Sequence, residues 1–196
     1  MGNEASKPPP QDHVARVLHE QLVVQSLPVA AVGVEYCSPT PVEYEVSNAR
    51  PWYFSVRDPI AGVICFRKEQ LKTFSSRDTL MGLRGYRVPV LNFYHDRLGA
   101  VELHVSFADV TTGERCYTGV EGNWRLHQAF LWLSRGSLSA EREAVARVWA
   151  PGGNDYFRNE VYTLTVAPNM DVALILFVRM GLDSHWLVYQ NRREPL

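Results

Sequence analysis

A chain of 196 residues with 46% hydrophobic and 21% charged side chains has the size and composition of one globular domain with a substantial core. Its formal net charge of −1 argues against a general electrostatic nucleic-acid binder. Three cysteines, Cys37, Cys65 and Cys116, are odd in number and scattered, with neither metal-ligand spacing nor a disulfide framework, which points to a reducing compartment.

The chain begins Met1-Gly2-Asn3-Glu4-Ala5-Ser6-Lys7, which fits the N-myristoylation pattern: removal of Met1 exposes the Gly2 amine, and Ser6 stands where the transferase prefers Ser or Thr. Gly2 is therefore the expected lipidation site; an ordinary disordered terminus that opens with Met-Gly is the plain alternative. No basic segment leads into an apolar run, so no secretory signal is expected. Pro8-Pro9-Pro10 keeps residues 1–11 extended as a tail. A short helix and linker are expected over residues 12–27, because Val14, Val17, Leu18 and Leu22 recur at helical spacing behind Asp12 as N-cap. Arg16 is its only cation and Glu20 cancels it, so packing against the domain is favoured over lying on a membrane.

From residue 28 the pattern is β. Val42–Val46, Tyr53–Val56, Val63–Phe66, Val88–Tyr94, Ala100–Phe107, Phe130–Leu133, Ala144–Trp149 and Val161–Val166 are short runs rich in Val, Tyr, Phe, Leu and Trp. Val101, Leu103, Val105 and Phe107 alternate with Glu102, His104 and Ser106, as on a half-buried strand. Turn chemistry separates the runs, at Asp58-Pro59-Ile60-Ala61-Gly62, Thr112-Gly113, Glu121-Gly122-Asn123 and Pro151-Gly152-Gly153-Asn154. An antiparallel sandwich or barrel follows.

Near the end, every residue from Val172 to Val178 is apolar. Pro168 suits the first turn of a helix, Asp171 meets the positive end of the helix dipole, and a helix over residues 168–183 would be roughly 24 Å long. A helix apolar all round must be buried. This one is too short for a bilayer, and Arg179 interrupts it. Val172, Leu174, Ile175, Leu176, Phe177 and Val178 are thus the expected core of a helix filling the lumen of a closed sheet.

The run Val166-Ala167-Pro168-Asn169-Met170-Asp171-Val172-Ala173-Leu174-Ile175-Leu176, ending in Leu182-Asp183, resembles the C-terminal signature of LURP-one-related proteins. Pro28-Val29 through Tyr36-Cys37-Ser38-Pro39-Thr40-Pro41-Val42 is similar to their domain opening, and Phe54-Ser55-Val56-Arg57-Asp58 with Gly62 and Val63 to their first strand–turn–strand unit. Gly122-Asn123-Trp124 and Val145-Ala146-Arg147-Val148 are similar to further pieces. The resemblance spans residues 28–183 and implies a mainly β, tubby C-terminal-like barrel of about 12 strands around a central hydrophobic helix, as in phospholipid scramblases. It places the domain at residues 28–196. Arg179 departs from the family's usually uncharged helix, so the last turn is expected to reach solvent or to pair with Asp183 at i+4.

Catalytic signatures are missing from the sequence: it has no nucleophile elbow, P-loop, dinucleotide fingerprint or zinc-protease helix. His95-Asp96 reads as a polar hairpin tip and His185-Trp186 as a capping and packing pair. No enzyme activity, cofactor or metal is expected. One local bias remains, the cations Arg67, Lys68, Lys72, Arg77, Arg84, Arg87 and Arg97. Arg67, Lys68 and Lys72 are candidate contacts for anionic lipid headgroups, phosphoinositides included; the alternative is a set of solvated strand faces. The expected protein is a non-enzymatic, monomeric, tubby-like module with no nucleic-acid partner. It would be cytoplasmic and partition to the inner face of the plasma membrane, with access to the nucleus, and the resemblance adds a role in plant defence. A scramblase-like lipid-handling protein is the alternative.

Overall fold

The computed structural model describes residues 21–50, 53–69, 79–82, 92–94, 104–123, 127–150 and 161–179. The β-branched and aromatic runs form strands: β1 (Val42–Arg50), β2 (Tyr53–Arg57), β3 (Ile64–Glu69), β4 (Thr79–Gly82), β5 (Asn92–Tyr94), β6 (His104–Ala108), β7 (Arg115–Asn123), β8 (Gln128–Arg135), β9 (Glu143–Trp149) and β10 (Val161–Val166). They make one antiparallel ten-stranded sheet in the order β4-β3-β2-β1-β10-β9-β8-β7-β6-β5. Sequence neighbours are sheet neighbours almost throughout. The exception is β4 and β5, which lie at the two edges, while β1 pairs with β10 from Val42↔Val166 to Ser47↔Val161 and so joins the two ends of the domain.

The fold is mainly β with one helix, as expected, but the described ladder ends at β4 and β5, and a rung closing it into a barrel is not among the described pairs. Two strands went unforeseen. Four-residue β4 carries a weak signal, and β7 holds Gly119, Gly122 and Asn123, residues that disfavour strands. Glu121-Gly122-Asn123 is therefore the end of β7, not a turn. Gly122 has φ +121°, and a side chain there would meet the Gln128 carbonyl oxygen and Ala129 Cα at 2.7 and 2.8 Å, so the ladder to β8 needs glycine at this position.

The helix α1 is described over residues 172–179, and each of these residues is buried. Around Val172, Leu174, Ile175, Leu176, Phe177 and Val178 lie Val46 and Val56 of β1 and β2, Val105 and Phe107 of β6, Leu131 and Leu133 of β8, Val148 of β9 and Leu164 of β10. Strands from both halves of the sheet thus contribute to one core with the helix inside it. The alternation expected for β6 holds over its described part: Val105 and Phe107 are buried, and Ser106 between them is half-exposed. A register shift between Leu131 and Trp132 lets β9 turn both Val145 and Ala146 toward that core, while Ala144 faces out.

β8 is buried on both faces, with the pattern broken only at Arg135. Its outer side chains Phe130 and Trp132 form a second apolar cluster with Ala144, covered by Leu22, Tyr117 and Leu138. The Arg142 guanidinium stacks over the Trp132 ring at 4.2 Å. Leu22 belongs to the segment expected to end the N-terminal helix. Residues 21–25 carry no helix, however, and Val23 N–H donates to the Ala144 carbonyl at 2.7 Å. Residues 1–20 lie outside the described residues.

Leu174 is fully buried in the middle of α1. Leu174→Asp places an unpaired charge there, at a cost of several kcal/mol against a total stability of about 5–15 kcal/mol, and is expected to abolish cooperative folding. Leu174→Ala is expected to lose about 2–5 kcal/mol in denaturant titration. A soluble Leu174→Asp protein with a wild-type unfolding midpoint would show that the helix is not enclosed.

Candidate functional site

The helix does not start at Pro168. Pro168 and Asn169 form a turn, with Asn169 at φ +62°, a left-handed conformation that asparagine tolerates. Asp171 is the N-cap: its Oδ1 accepts from Leu174 N–H at 3.0 Å, and its carbonyl accepts the first described helical bond from Ile175 N–H at 3.2 Å. Its Oδ2 faces the opposite way, into the backbone of residues 31–33. Val32 N–H donates at 2.8 Å, Ala31 N–H at 3.1 Å and Gly33 N–H at 3.5 Å. One fully buried carboxylate thus joins the helix to the segment that opens the domain.

That segment is fastened on both sides. Val29 N–H donates to Asn169 O at 2.8 Å, Asp171 N–H donates to Val29 O at 3.1 Å, and Asn169 N–H donates to Ser38 O at 2.6 Å. A second buried carboxylate, Asp109 in the β6–β7 turn, accepts from Ala30 N–H and Thr111 N–H at 3.1 Å and from the Thr112 hydroxyl at 2.8 Å. Burial raises the pKa of Asp171, and the hydrogen bonds from Val32, Leu174, Gly33 and Ala31 reverse this only in part. At Asp109 burial also acts upward, but the donors at Ala30, Thr112 and Thr111 outweigh it and the pKa is lowered.

Upstream, Gln25 lies against the same end of the sheet. Its N–H donates to Pro168 O at 3.4 Å, its carbonyl accepts from Asn169 Nδ2 at 2.7 Å, and its side chain bridges Arg135 and Glu143, which form a 2.9 Å ion pair.

At the other end of α1, Arg179 is buried. Its guanidinium lies 5.0 Å from the Tyr162 ring, and His127 stacks on the same tyrosine at 4.4 Å. Arg179 therefore does not reach solvent, and the Tyr162 ring of β10 lies beside it; Asp183, the other expected partner, lies outside the described residues. Burial, and then the neighbouring Arg179 charge, push the His127 pKa down to about 4, so at neutral pH the imidazole is uncharged.

Burial holds all three thiols toward their protonated form. Burial, followed by the charges of Asp171, Asp109 and Glu35, pushes Cys37 up to about 12. Burial and then Glu114 push Cys116 up to about 11, and burial also raises Cys65. Among the described residues no group of three or more His, Cys, Asp or Glu side chains is placed to hold a metal ion. No described helix is long and apolar enough to cross a membrane.

Of the candidate surface residues, Arg67 and Lys68 fall on β3, opposite Ser55 and Leu80 respectively. Consecutive positions of one strand belong to opposite faces of a sheet, so register separates the two. Gly2, Lys72, His95-Asp96 and His185-Trp186 lie outside the described residues. Sequence reasoning missed Asp109, His127 and Tyr162 as structural groups. Asp109 had a signal, an acidic residue followed by Val-Thr-Thr-Gly, which is Asx-turn chemistry.

No family model and no curated protein matches this chain. Among solved structures the chain is similar to a protein from Arabidopsis thaliana, AT5G01750, with 19% sequence identity and a TM-score of 0.48, covering 79% of this chain and 96% of that one.

Asp171→Asn replaces one charged acceptor by an amide whose NH2 opposes either Leu174 N–H or the N–H groups of residues 31–33. It is expected to cost about 2–4 kcal/mol in chemical denaturation, with Asp171→Ala at least as severe. Wild-type stability in Asp171→Asn would show that the carboxylate does not tie the two segments.

His127 sets an acid limit. Its folded pKa lies below the unfolded value of 6.5, so between pH 6.5 and about 4 the unfolded chain binds more protons and stability falls as pH falls. Asp171, with a raised pKa, acts in the opposite sense at the acid end of that window, so the informative quantity is wild type minus His127→Asn; asparagine suits the φ of +51° at this position. That difference is expected to shrink by about 3 kcal/mol from pH 7 to pH 4. Parallel stability–pH curves would overturn the assignment.

Proposed function

We propose that this chain is a non-enzymatic, tubby-like module of the LURP-one-related kind, closed as a barrel around its helix. In this reading acylated Gly2 holds it reversibly at the cytoplasmic face of the plasma membrane, and Arg67, Lys68 and Lys72 contact anionic lipid, phosphoinositides included. The observation that carries the reading is the burial of α1: its residues 172–179 lie inside the core. An apolar helix used up in this way is unavailable to lipid, which favours a tethered module over the scramblase-like alternative and leaves membrane address to the tail and the surface. A single myristoyl chain gives only marginal binding, on the order of 10⁴ M⁻¹, so the protein partitions between cytosol and membrane and needs a second contact to stay. The resemblance to LURP-one-related proteins supports a role in plant defence signalling.

The test is flotation of the full chain, co-expressed with an N-myristoyltransferase and checked by intact mass, on phosphatidylcholine vesicles with and without phosphoinositide. Gly2→Ala is expected to lose flotation on both. Arg67→Glu and Lys68→Glu are made singly because register puts these positions on opposite faces of β3; one of the two, together with Lys72→Glu, is expected to lower binding only on phosphoinositide vesicles, at unchanged melting temperature. Equal flotation of wild type and Gly2→Ala would overturn the tether, and indifference to all three reversals would overturn the headgroup site.

A further inference from the structure

Residues 22–25 lie as a strap over the outer face of β8. Leu22 packs on Phe130, Trp132 and Ala144, beside Tyr117 and Leu138. The N–H groups of Val23 and Gln25, two residues apart, donate to Ala144 O at 2.7 Å and to Pro168 O at 3.4 Å, the spacing of an extended chain. Gln25 is the fastening. Its side chain is buried: Nε2 donates to Glu143 Oε2 at 3.2 Å and to Val23 O at 3.0 Å, and Oε1 accepts from the Arg135 guanidinium. Val23, Val24 and Leu27 are turned outward and exposed. One apolar anchor, one amide and a few backbone bonds therefore hold the strap.

Two features beneath it fit a ligand site. Trp132 Nε1 is buried and has no hydrogen-bond acceptor, so the strap seals this indole N–H without pairing it, which is costly. The Arg135–Glu143 ion pair, 2.9 Å apart, is complete without Gln25. The glutamine sits beside it, accepting from the cation and donating to the anion. A neutral amide does both, whereas an acid there faces Glu143 and a base faces Arg135. The face thus selects an apolar side chain and, three residues later, a glutamine.

We infer that the outer face of β8 is a docking site for an extended segment of another protein with this spacing, and that residues 22–25 fill the site in cis until displaced. The inference does not depend on the tether. An incoming segment that brings an oxygen acceptor to Trp132 Nε1 makes a bond that the strap does not. A separate protein is favoured over the same residues of a second copy. Only Ser26, Leu27 and Pro28 join the strap to Val29, whose N–H and carbonyl are both bonded to the turn before the helix. Gln25 can therefore stand about 14 Å at most from Val29, too short a reach for ready exchange between copies.

The probe is a fluorescent peptide copying residues 20–28, added to the full chain and followed by anisotropy. Leu22→Ala combined with Gln25→Ala in the chain vacates the site, and this variant is expected to bind the peptide about tenfold tighter than wild type, or more. Where the double variant does not fold, Gln25→Ala alone serves as receptor. Peptides carrying Leu22→Asp or Gln25→Ala are expected to bind about tenfold more weakly than the parent peptide. Wild type without peptide gives a second measurement. The Trp132 indole N–H is protected by its cover and not by a hydrogen bond, so it is expected to exchange with solvent about a hundredfold faster than the backbone amides of β8. Absence of peptide binding, equal binding of all three peptides, or indole exchange only at the rate of the β8 amides would overturn the inference. A dimer in light scattering that is lost with Leu22→Ala would overturn the choice of a separate protein.

Discussion

A single buried carboxylate ties the core helix to the segment that opens the domain. Asp171 caps the helix with one oxygen and with the other gathers three backbone N–H groups from residues 31–33, about 140 positions earlier in the chain. Burying that charge is costly, and its pKa is raised accordingly. The cost is met with backbone donors that would otherwise be orphans of a helix start and of an irregular segment, so charge and donors satisfy each other. Removing either side leaves the other buried and unpaired.

The opposite end of the helix is fastened by different means. Arg179 would be expensive in an apolar core, yet it lies over Tyr162, which in turn stacks on His127. This arrangement keeps a permanent cation next to an imidazole, and the imidazole answers by giving up its proton at neutral pH. Hydrogen bonds thus hold the N-terminal end of the helix, and the last described residue, Arg179, lies against an aromatic ring, with apolar contact between them. The expected loss of stability in acid comes from this end of the helix, through His127.

β8 is covered on both faces. The outer cover is the segment around Leu22 and Gln25, so the entry of the N-terminal tail is part of the packed structure, bonded to β9 and to the turn before the helix.

Local patterns in the sequence were enough to read the helix core and most strands. Seven consecutive apolar residues from Val172 to Val178 have no polar face to offer water, so burial follows without knowledge of any partner. Val105 and Phe107 alternate with Ser106 because a pleated strand has two sides. What the pattern could not supply was long-range. Pro168 suits a helix start as well as Asp171 does, and only the donors at residues 31–33 make Asp171 the cap. The spacing of Val17, Leu18 and Leu22 suits a helix, but residues 21–25 gain more by lying open against Phe130 and Trp132 and donating to Ala144. β7 is a strand despite its glycines because β6 and β8 bond to it on both sides. The charge of Arg179 suggested solvent until Tyr162, on a strand next to both ends of the sequence, provided a ring for it. Apolar girth and alternation are properties of neighbours in sequence; caps, covers and charge partners depend on which distant segments the sheet brings into contact.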